Sequence, residues 1–461
     1  MKERIKSLLT HEPSDELVTA EGWVRTKRDS KNVCFLDVND GSSLKGLQLV
    51  IDKASFNNDN LLDSISTGAA VSAKGRIVAS QGGSQKVEMA VSSLTLVGAC
   101  PNDYPLQKKR HTVEFLRDQA YLRPRTNLFG AVTRVRNTMA YAVHQFFQEN
   151  GFVYVNTPLI TASDCEGAGE QFQVTTLDLN NVPKTPDGKV DYSKDFFGKL
   201  ANLTVSGQLE GETYAMAMKN IYTFGPTFRA EESNTSRHLA EFWMIEPEMA
   251  FCDLDGDMDC AQSFLKYIFK AVLEKNSEDM AFFENFVLKG LIESLEHVIN
   301  SPFEHMTYTE AIALLEKHNE KFEFPVHWGS DIASEHERYL TEEIAKRPVI
   351  VTDYPKEIKS FYMKQNDDGK TVRGMDVLAP RLGEIIGGSE RESDYDKLER
   401  RMKELGMEMS PYWWYMNLRR YGTAPHSGFG LGFERAVRYV TGIENIRDVI
   451  PYPRAVGTCE Y

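Results

Sequence analysis

Basic residues bracket a short polar run in the middle of the chain. Arg229 precedes the run EESNTS, and Arg237 and His238 follow it. If this run is the turn of a β-hairpin, Arg229 and His238 lie near each other, and Phe242 on the returning strand offers an aromatic face. Fixed cations beside an aromatic platform suit a nucleoside triphosphate. The alternative is an exposed, salt-bridged hairpin, which is the commoner arrangement of such charges.

A second cluster lies near the C-terminus, in the sequence HSGFGLGFER. Gly428, Gly430 and Gly432 occupy every second position there, so the backbone of a strand can approach a ligand closely. The helical pattern that follows carries Arg435, which has the geometry for a bidentate contact with a phosphate. The same pattern is also typical of tight packing between a strand and a helix.

A third cluster contains two acidic residues, Asp376 and Glu384. Carboxylate oxygens are ligands that Mg²⁺ prefers, although two acidic residues in a polar stretch are usually only exposed. Arg391 follows Glu384 at a spacing close to that of side chains on one face of a strand with a bulge at Gly387 and Gly388.

Several elements must position these clusters. The length of 461 residues predicts two or three domains. Between residues 17 and 98, β-rich segments separated by turn signals predict a small, closed, five-stranded barrel with the oligonucleotide-binding (OB) fold. We place this barrel at 1–100, a basic, Pro-containing connector at 101–126 and the remaining domain at 127–461. The predicted fold class is α+β.

In the second domain, apolar residues at helical spacing predict a helix from residue 128 that ends near Gly151, followed by a strand that ends near Pro158. Residues 253–347 have a mostly helical pattern. They resemble an insertion between the strand after the hairpin and the strand VIVTDYP at 349–355.

Composition argues against several classes of protein. No apolar run approaches the roughly 18–20 residues that span a bilayer, and the N-terminus lacks the apolar core of a signal peptide. The six cysteines include no C-x-x-C pair, which fits a reducing cytoplasm. The net charge of −14 argues against nonspecific coating of DNA. A local basic face can still bind nucleic acid, because salt screens distant charges.

Together, the motifs resemble those of the class II aminoacyl-tRNA synthetases, and within them the asparaginyl-tRNA synthetases. The helix and strand at 128–158 resemble motif 1, the dimer-forming element. FRAE (228–231) and RHLAEF (237–242) resemble motif 2, and GFGLGFER (428–435) resembles motif 3. The barrel resembles the anticodon-binding domain of the subgroup that also contains the aspartyl and lysyl enzymes. The resemblance covers essentially the whole chain.

The resemblance implies a catalytic domain built on an antiparallel sheet flanked by helices, with ATP as a substrate and Mg²⁺ as its metal. It places the catalytic residue Arg229 on the α-phosphate, the catalytic residue Arg435 on the γ-phosphate, and Phe242 on the adenine. The residues implied for ATP are Arg229, Glu231, His238, Phe242, Glu384 and Arg435. The residues implied for Mg²⁺ are Asp376 and Glu384.

The resemblance also implies a set of residues around the amino acid: Glu166, Ser206, Gln208, Glu246 and Arg391. Glu166 belongs to a mobile loop at 161–172. Glu246 is expected to accept a hydrogen bond from a carboxamide, with Arg391 opposite as donor to its oxygen. An aspartate would instead set like charges together. The alternative for Glu246 is a cross-strand salt bridge, and Glu248 is expected to brace the hairpin.

In the barrel, Phe35 and Gln48 match positions where this subgroup stacks on and hydrogen-bonds to the central anticodon uridine. Arg25 is expected to contact anticodon phosphate or base. From the sequence alone, Phe35 is equally compatible with a place in the barrel core.

The function implied is ATP-dependent ligation of L-asparagine to tRNA(Asn) through an asparaginyl-adenylate, by a homodimer formed through 128–158. One alternative is an aspartyl enzyme, including one that also charges tRNA(Asn). Glu246 argues against it, as does Gly211, where aspartyl relatives carry a Lys. The other alternative is a non-catalytic nucleic-acid-binding paralogue. Its mark would be loss of Arg229 or Arg435, and both are present.

Overall fold

The structure is a computed structural model, and it describes residues 3–56, 58–82, 85–109, 111–165, 171–233 and 235–461. Its strands are β1 (Leu17–Asp29), β2 (Val33–Asn39), β3 (Leu47–Asp52), β4 (Ala70–Ala79), β5 (Val87–Gly98), β6 (Val153–Tyr154), β7 (Ile160–Thr161), β8 (Gln173–Val174), β9 (Ala201–Leu203), β10 (Asn220–Phe228), β11 (Glu241–Ala250), β12 (Glu304–Thr307), β13 (Val349–Pro355), β14 (Thr371–Ala379), β15 (Gly383–Glu390) and β16 (His426–Gly432).

The α-helices are α1 (Ile5–Leu8), α2 (Lys53–Phe56), α3 (Asp59–Ser64), α4 (Val113–Asp118), α5 (Asn127–Glu149), α6 (Gln208–Met218), α7 (Leu254–Lys275), α8 (Ser277–Phe286), α9 (Leu291–Asn300), α10 (Tyr308–Leu315), α11 (Ser334–Arg338), α12 (Tyr395–Glu404), α13 (Trp413–Leu418) and α14 (Phe433–Thr441). Among the described residues, no helix combines the length and the apolarity needed to cross a membrane.

The chain divides into two compact units, Met1–Arg134 and Val135–Tyr461. In the first unit, five strands close into a barrel in the order β1-β2-β3-β5-β4, which confirms the predicted barrel. Side chains alternate between its inside and its outside. On β2, Cys34 and Leu36 are fully buried, whereas Phe35 between them is partly exposed. The sequence-based alternative that placed Phe35 in the barrel core is therefore wrong.

The second unit is built on an eight-stranded sheet in the order β12-β13-β14-β15-β16-β11-β10-β6. The central pairs are antiparallel, and the two edge pairs, β12–β13 and β10–β6, are parallel. The expected antiparallel sheet is thus right for the centre and wrong at the edges. Parallel neighbours need a long crossover connection. The chain supplies one through α6 between β6 and β10, and another through α10 and α11 between β12 and β13.

The strand predicted to end near Pro158 is shorter than expected. After β6, the N–H of Val155 still donates to the carbonyl oxygen of Tyr222 at 3.0 Å, and the chain then leaves the sheet. Just beyond Pro158, β7 belongs to a separate three-stranded sheet in the order β7-β9-β8. Pro158 has no N–H and could not have extended the ladder, but the chain has already left the sheet after Val155.

The helix predicted from residue 128 is α5, and Gly151 beyond it has a φ of +80°. This left-handed conformation costs glycine little and ends the helix. On the buried face of α5, Phe147 stacks on Tyr222 of β10 with ring centroids 4.7 Å apart. Phe147 also lies 4.7 Å from Phe264 of α7. These contacts fix α5 against β10 and α7.

The close approach of β16 to β11 gives a test of the packing. A Cβ at Gly428 would lie 2.3 Å from the carbonyl oxygen of Pro247 and 2.5 Å from Oε1 of Glu248. We expect Gly428→Ala to lower the free energy of unfolding by about 1–3 kcal/mol, because the backbone must move to admit the methyl group. Urea unfolding followed by tryptophan fluorescence measures the change.

Gly432→Ala is the matched control on the same strand. Its Cβ would meet Cβ of Arg435 at 3.7 Å, an ordinary contact, so this variant should keep wild-type stability. Equal stability of the two variants would contradict the packing at Gly428.

Candidate active site

Two glycines separate an acidic residue of β11 from an acidic residue of β14. The register places Gly430 of β16 beside Glu246 of β11, and it pairs Gly430 with Gly387 of β15. Gly387 in turn pairs with Asp376 of β14. Glu246 and Asp376 are thus three interstrand spacings apart, a distance of about 14 Å. The two glycines place no side chain of their own on the sheet surface between Glu246 and Asp376, and Cε of Met244 lies 2.9 Å from where a Cβ of Gly430 would stand.

Glu246 is a buried carboxylate held by uncharged donors. It is 5% exposed and accepts hydrogen bonds from the Ser206 hydroxyl, the Thr223 hydroxyl at 2.9 Å and the Gly207 N–H at 3.0 Å. Glu246, Thr223 and Gly207 line a cavity of about 320 Å³. Within the described part of the chain, its hydrogen-bond partners include no Lys or Arg. The structure therefore contradicts the alternative of a cross-strand salt bridge.

Arg391 pairs with Glu248, the next residue on the same face of β11. Its Nη2 lies 2.6 Å from Oε1 of Glu248 and its Nε lies 3.3 Å from Oε2. Nη1 donates to the hydroxyl of Ser389 at 2.8 Å. Burial and the nearby Glu212 raise the pKa of Glu248, and Arg391 opposes the rise. Glu248 thus holds Arg391, a role that the sequence analysis did not foresee when it assigned Glu248 to bracing the hairpin.

A buried network behind Gln208 also escaped the sequence analysis. At its centre, Glu212 is fully buried and accepts hydrogen bonds from Gln208 Nε2 (3.1 Å), the Tyr415 hydroxyl (2.9 Å), Arg419 Nη2 (2.8 Å) and His426 Nε2 (2.9 Å). Burial acts to raise the pKa of Glu212, but Arg419 and His426 outweigh it and hold that pKa below its usual range.

This network fixes the orientation of the Gln208 amide. An ionised carboxylate can only accept hydrogen bonds, so the amide nitrogen of Gln208 must face Glu212 and the amide oxygen faces away from it. The one sequence signal for the contact is the i,i+4 spacing of Gln208 and Glu212 on α6, which puts them on one helix face. Arg419 and His426 come from distant segments, and no local pattern marks them.

The hairpin predicted in the sequence is formed by β10 and β11. The N–H of Arg229 donates to the carbonyl oxygen of Ala240 at 3.0 Å. The Arg229 guanidinium carbon lies 5.4 Å from the centroid of the Phe242 ring. Its Nε is buried and has no hydrogen-bond partner among the described residues. A cation and an aromatic face therefore lie together here, as the sequence analysis expected.

The loop of the hairpin places His238 among hydroxyl groups. Nδ1 of His238 lies 2.6 Å from Oγ1 of Thr235 and 3.0 Å from Oγ of Ser233. Glu231 is exposed at the start of the same loop, and Arg237 donates to the hydroxyl of Ser334 at 2.8 Å.

Asp376 and Glu384 face each other across Gly387, whose Cβ would lie 3.5 Å from the first carboxylate and 3.3 Å from the second. Nζ of Lys359 lies 2.6 Å from Oδ2 of Asp376, and Nη1 of Arg435 lies 3.8 Å from Oε1 of Glu384. Among the described residues, no group of three or more His, Cys, Asp or Glu side chains is arranged to hold a metal ion. The two carboxylates are nevertheless the hard donors that suit Mg²⁺ together with phosphate oxygens.

A third carboxylate, Glu337 of α11, lies beside this pair. Its Oε2 accepts the N–H of Glu384 at 3.1 Å. Burial, together with Glu384 and Asp376, raises the pKa of Glu337 to about 7. No local sequence pattern marks Glu337, because it lies far from Asp376 and Glu384 in the chain, in the segment between β11 and β13.

The outer face of the barrel brings together two of its three predicted residues. The Arg28 guanidinium carbon lies 5.4 Å from the centroid of the Phe35 ring, and its Nη2 donates to Oε1 of Gln48 at 2.8 Å. Nε2 of Gln48 donates to Oε2 of Glu88 at 3.0 Å. The third predicted residue, Arg25, instead donates to the side-chain oxygen of Asn127. Glu166, predicted in the loop at 161–172, lies outside the described residues.

Similar proteins are known over the full length of the chain. It is 60% identical over 461 residues to an asparagine–tRNA ligase of Synechocystis sp., with all of both chains covered. It is 59% identical to an asparagine–tRNA ligase of Treponema denticola, with 99% of each chain covered. The crystal structure of asparaginyl-tRNA synthetase from Pyrococcus horikoshii complexed with asparaginyl-adenylate is similar with a TM-score of 0.86 and 31% identity, over 100% of this chain and 99% of that one.

Two family profiles match the two parts of the chain. The OB-fold nucleic acid binding domain matches residues 18–97, where the barrel lies. The class II tRNA synthetases (D, K and N) match residues 112–456. The chain therefore belongs to the class II tRNA synthetases of the D, K and N group and, within that group, to the family of the asparagine–tRNA ligases.

Proposed function

We propose that the protein ligates L-asparagine to tRNA(Asn) in two steps, using ATP, with an asparaginyl-adenylate between the steps and release of pyrophosphate and AMP. The observation that carries this proposal is Glu246, a buried carboxylate whose three donors carry no charge. An ionised carboxylate offers about four lone-pair sites. One site therefore remains for an amide N–H of the ligand.

The charge of Glu246 favours asparagine over aspartate. An aspartate side chain in the same place would set two carboxylates together, which costs energy or forces one of them to take up a proton. At Gly211, a Cβ would already lie 3.3 Å from Cδ1 of Ile221. A lysine at this position, as in the aspartyl relatives, would therefore meet a tight contact at its first side-chain carbon.

Arg391 supplies the second contact to the amide. A guanidinium has five N–H donors, and Glu248 and Ser389 take three of them. The remaining donors are available for the amide oxygen of asparagine. The ion pair with Glu248 holds the guanidinium plane in position, and its burial keeps Arg391 from moving to solvent.

Three further residues complete the amino-acid site in this proposal. The amide oxygen of Gln208, turned away from Glu212, accepts a hydrogen bond from the α-ammonium group of asparagine. Ser206 lines the pocket through its hydroxyl, which also bonds to Glu246. Glu166 reaches the same ammonium group from its loop.

In the first step, a carboxylate oxygen of asparagine attacks the α-phosphorus of ATP. A new carbon–oxygen–phosphorus link forms, the bond to the β-phosphate breaks, and pyrophosphate leaves with the electron pair. The nucleophile is already an anion, so no general base is required. Arg229 neutralises charge at the α-phosphate and Arg435 at the γ-phosphate, while Phe242 holds the adenine. Catalysis thus depends on positioning and charge stabilisation.

The metal proposed for this step is Mg²⁺, held by Asp376 and Glu384. When bound, it supplies charge neutralisation along the phosphate chain. Lys359 pairs with Asp376, so this carboxylate keeps a fixed orientation. Glu231 and His238 are proposed to contact ATP or the acceptor end of tRNA from the hairpin loop.

In the second step, the ribose hydroxyl at the 3′ end of tRNA attacks the carbonyl carbon of the adenylate. The carbon–oxygen bond to the phosphate breaks, AMP leaves with the electron pair, and the proton of the hydroxyl group is released. At the other end of the tRNA, Phe35 stacks on the central anticodon base and Gln48 pairs with its edge. Arg25 contacts the anticodon phosphate or base.

The organisation proposed is an anticodon-binding domain at 1–100, a hinge at 101–126 and a catalytic domain at 127–461 with an insertion at 253–347. We infer a homodimer formed through 128–158. Support comes from apolar side chains that this segment leaves in contact with solvent, since Tyr141 is 64% and Val153 is 43% exposed. The site of action proposed is the cytoplasm, where tRNA and ATP are available.

The test of the function is ATP–pyrophosphate exchange by the purified protein, with Mg²⁺ and with asparagine, aspartate or lysine in turn. Exchange with asparagine alone is expected. Exchange with aspartate would refute the assignment of Glu246, and no exchange with any of the three would favour a non-catalytic nucleic-acid-binding role.

Replacement of Glu246 tests amino-acid selection. Glu246→Gln removes the charge and keeps the size, so the preference for asparagine over aspartate in kcat/KM should fall by about tenfold or more. Glu293→Gln, an exposed position on α9, is the control and should leave the ratio unchanged. If Glu246→Gln keeps the wild-type ratio, Glu246 does not select the amino acid.

Replacement of Arg229 tests the phosphate contact. Arg229→Ala should slow adenylate formation by about 10²–10³-fold, as expected for the loss of one donor to developing charge. Circular dichroism should show an intact fold. Arg420→Ala removes an exposed Arg of the same unit and should have no effect. Near-normal exchange by Arg229→Ala would remove Arg229 from the reaction.

A further inference from the structure

A buried carboxylate joins three elements around the ATP side of the site. Glu434 lies in the first turn of α14, directly before Arg435, and is 1% exposed. Its Oε2 accepts the backbone N–H of Trp243 at 2.8 Å. Its Oε1 lies 2.6 Å from Nη2 of Arg136 on α5. One side chain therefore connects α14, β11 and α5.

The hydrogen bond from the N–H of Trp243 to Glu434 extends the β11–β16 ladder by one position at its end. β11 pairs with β16 up to the pair Met244–Gly432, where β16 ends and α14 begins. Trp243 lies one position beyond this last pair. On its other side it faces Pro226 of β10, but this is a non-hydrogen-bonded pair, because the N–H of Trp243 points toward Glu434 and away from β10. Without Glu434, the N–H of Trp243 would lack its partner at the end of the sheet.

Arg136 is held as firmly as its partner. Its guanidinium carbon lies 4.6 Å from the centroid of the Phe433 ring, and Nη1 donates to the carbonyl oxygen of Val449 at 3.3 Å. The side chain of Arg136 is only 16% exposed. The stacking, the hydrogen bond and the ion pair hold the Arg136 guanidinium in one position. Through the ion pair, Arg136 in turn fixes the position of the Glu434 carboxylate.

We propose that Glu434 is a positioning residue for ATP, through which α5 sets the places of both Phe242 and Arg435. This inference rests on the proposed function, in which Phe242 holds the adenine and Arg435 the γ-phosphate. Trp243, whose N–H Glu434 fixes, is the neighbour of Phe242, and Glu434 is itself the neighbour of Arg435. A small movement of this carboxylate changes the distance between the two ends of the ATP site.

The hydrogen bonds that hold Glu246 on the amino-acid side of the site do not involve this carboxylate. Glu246 is held by Ser206, Gly207 and Thr223, none of which contacts Glu434 or Arg136 through a hydrogen bond described here. Loss of the Glu434–Arg136 pair should therefore weaken the interaction with ATP and spare that with asparagine. A defect that only lowered stability would affect both substrates alike.

The test compares KM values for ATP and for asparagine in pyrophosphate exchange by the full-length protein. Glu434→Gln keeps an oxygen for the N–H of Trp243 and loses the charge that faces Arg136. Arg136→Met keeps an unbranched side chain over Phe433. Each variant should raise the KM for ATP by about tenfold and leave that for asparagine within about twofold. In the double variant, the KM for ATP should rise by less than the product of the two single-variant increases, because the two residues act as one pair.

Two further variants serve as a conservative replacement and as a control. Arg136→Lys keeps the positive charge but loses the planar fork that stacks on Phe433, so the KM for ATP should rise by only about threefold. This variant also serves if the neutral variants do not fold. Glu284→Gln is the matched control, since Glu284 accepts the N–H groups of Gly290 and Ile292 at 2.6 and 3.0 Å in the turn after α8. It should leave both KM values unchanged.

Parallel rises in both KM values, or an unchanged KM for ATP in Glu434→Gln and Arg136→Met, would overturn the inference. If only Arg136→Lys folds, a KM for ATP equal to that of wild type would overturn it, and a selective rise of about threefold would support it. Failure of the proposed function is separate, because it would appear as absence of asparagine-dependent exchange in the wild-type protein.

Discussion

A carboxylate taken out of water needs a donor for its charge, since an ionised group without one costs several kcal/mol in a protein interior. The second unit meets this requirement in two ways. Glu212, Glu248 and Glu434 each face an arginine, whereas Glu246 meets two hydroxyls and one backbone amide. Asp257 has no hydrogen-bond partner among the described residues, and burial raises its pKa well above the usual range.

The two ends of the sheet surface between Glu246 and Asp376 therefore differ in the charges that surround them. At one end, Glu246 accepts hydrogen bonds from uncharged groups among the described residues, and the proposed ligand there is an uncharged amide. At the other end, Lys359 and Arg435 lie beside Asp376 and Glu384, where the phosphate groups of the proposed ATP would bring further negative charge. Desolvation and Asp376 raise the pKa of Glu384, and the neighbouring cations oppose the rise. The glycines between the ends let one extended ligand contact both.

Local pattern was enough to predict the elements that alternate or repeat. The barrel, helix α5 and the hairpin of β10 and β11 all follow from periodicity and turn residues. The partners of buried charges were beyond such reasoning, because they depend on the register of strands and on segments far apart in the chain. Arg391 was expected opposite Glu246, and its ion pair is with Glu248. The contacts of Glu212 with Arg419 and His426 had no local signal at all.

On the barrel, the ring that is proposed to receive an anticodon base is already covered by a cation. The Arg28 guanidinium lies over Phe35 and donates to Gln48, so a base that stacks on Phe35 must displace it. Binding there replaces one stacked group with another, and its net gain is the difference between base stacking, about 1–3 kcal/mol, and an exposed cation–π contact, about 0.5–1 kcal/mol. Discrimination between bases then depends on the hydrogen bonds of Gln48. The displaced guanidinium becomes available for a phosphate, which makes the exchange more favourable at low salt.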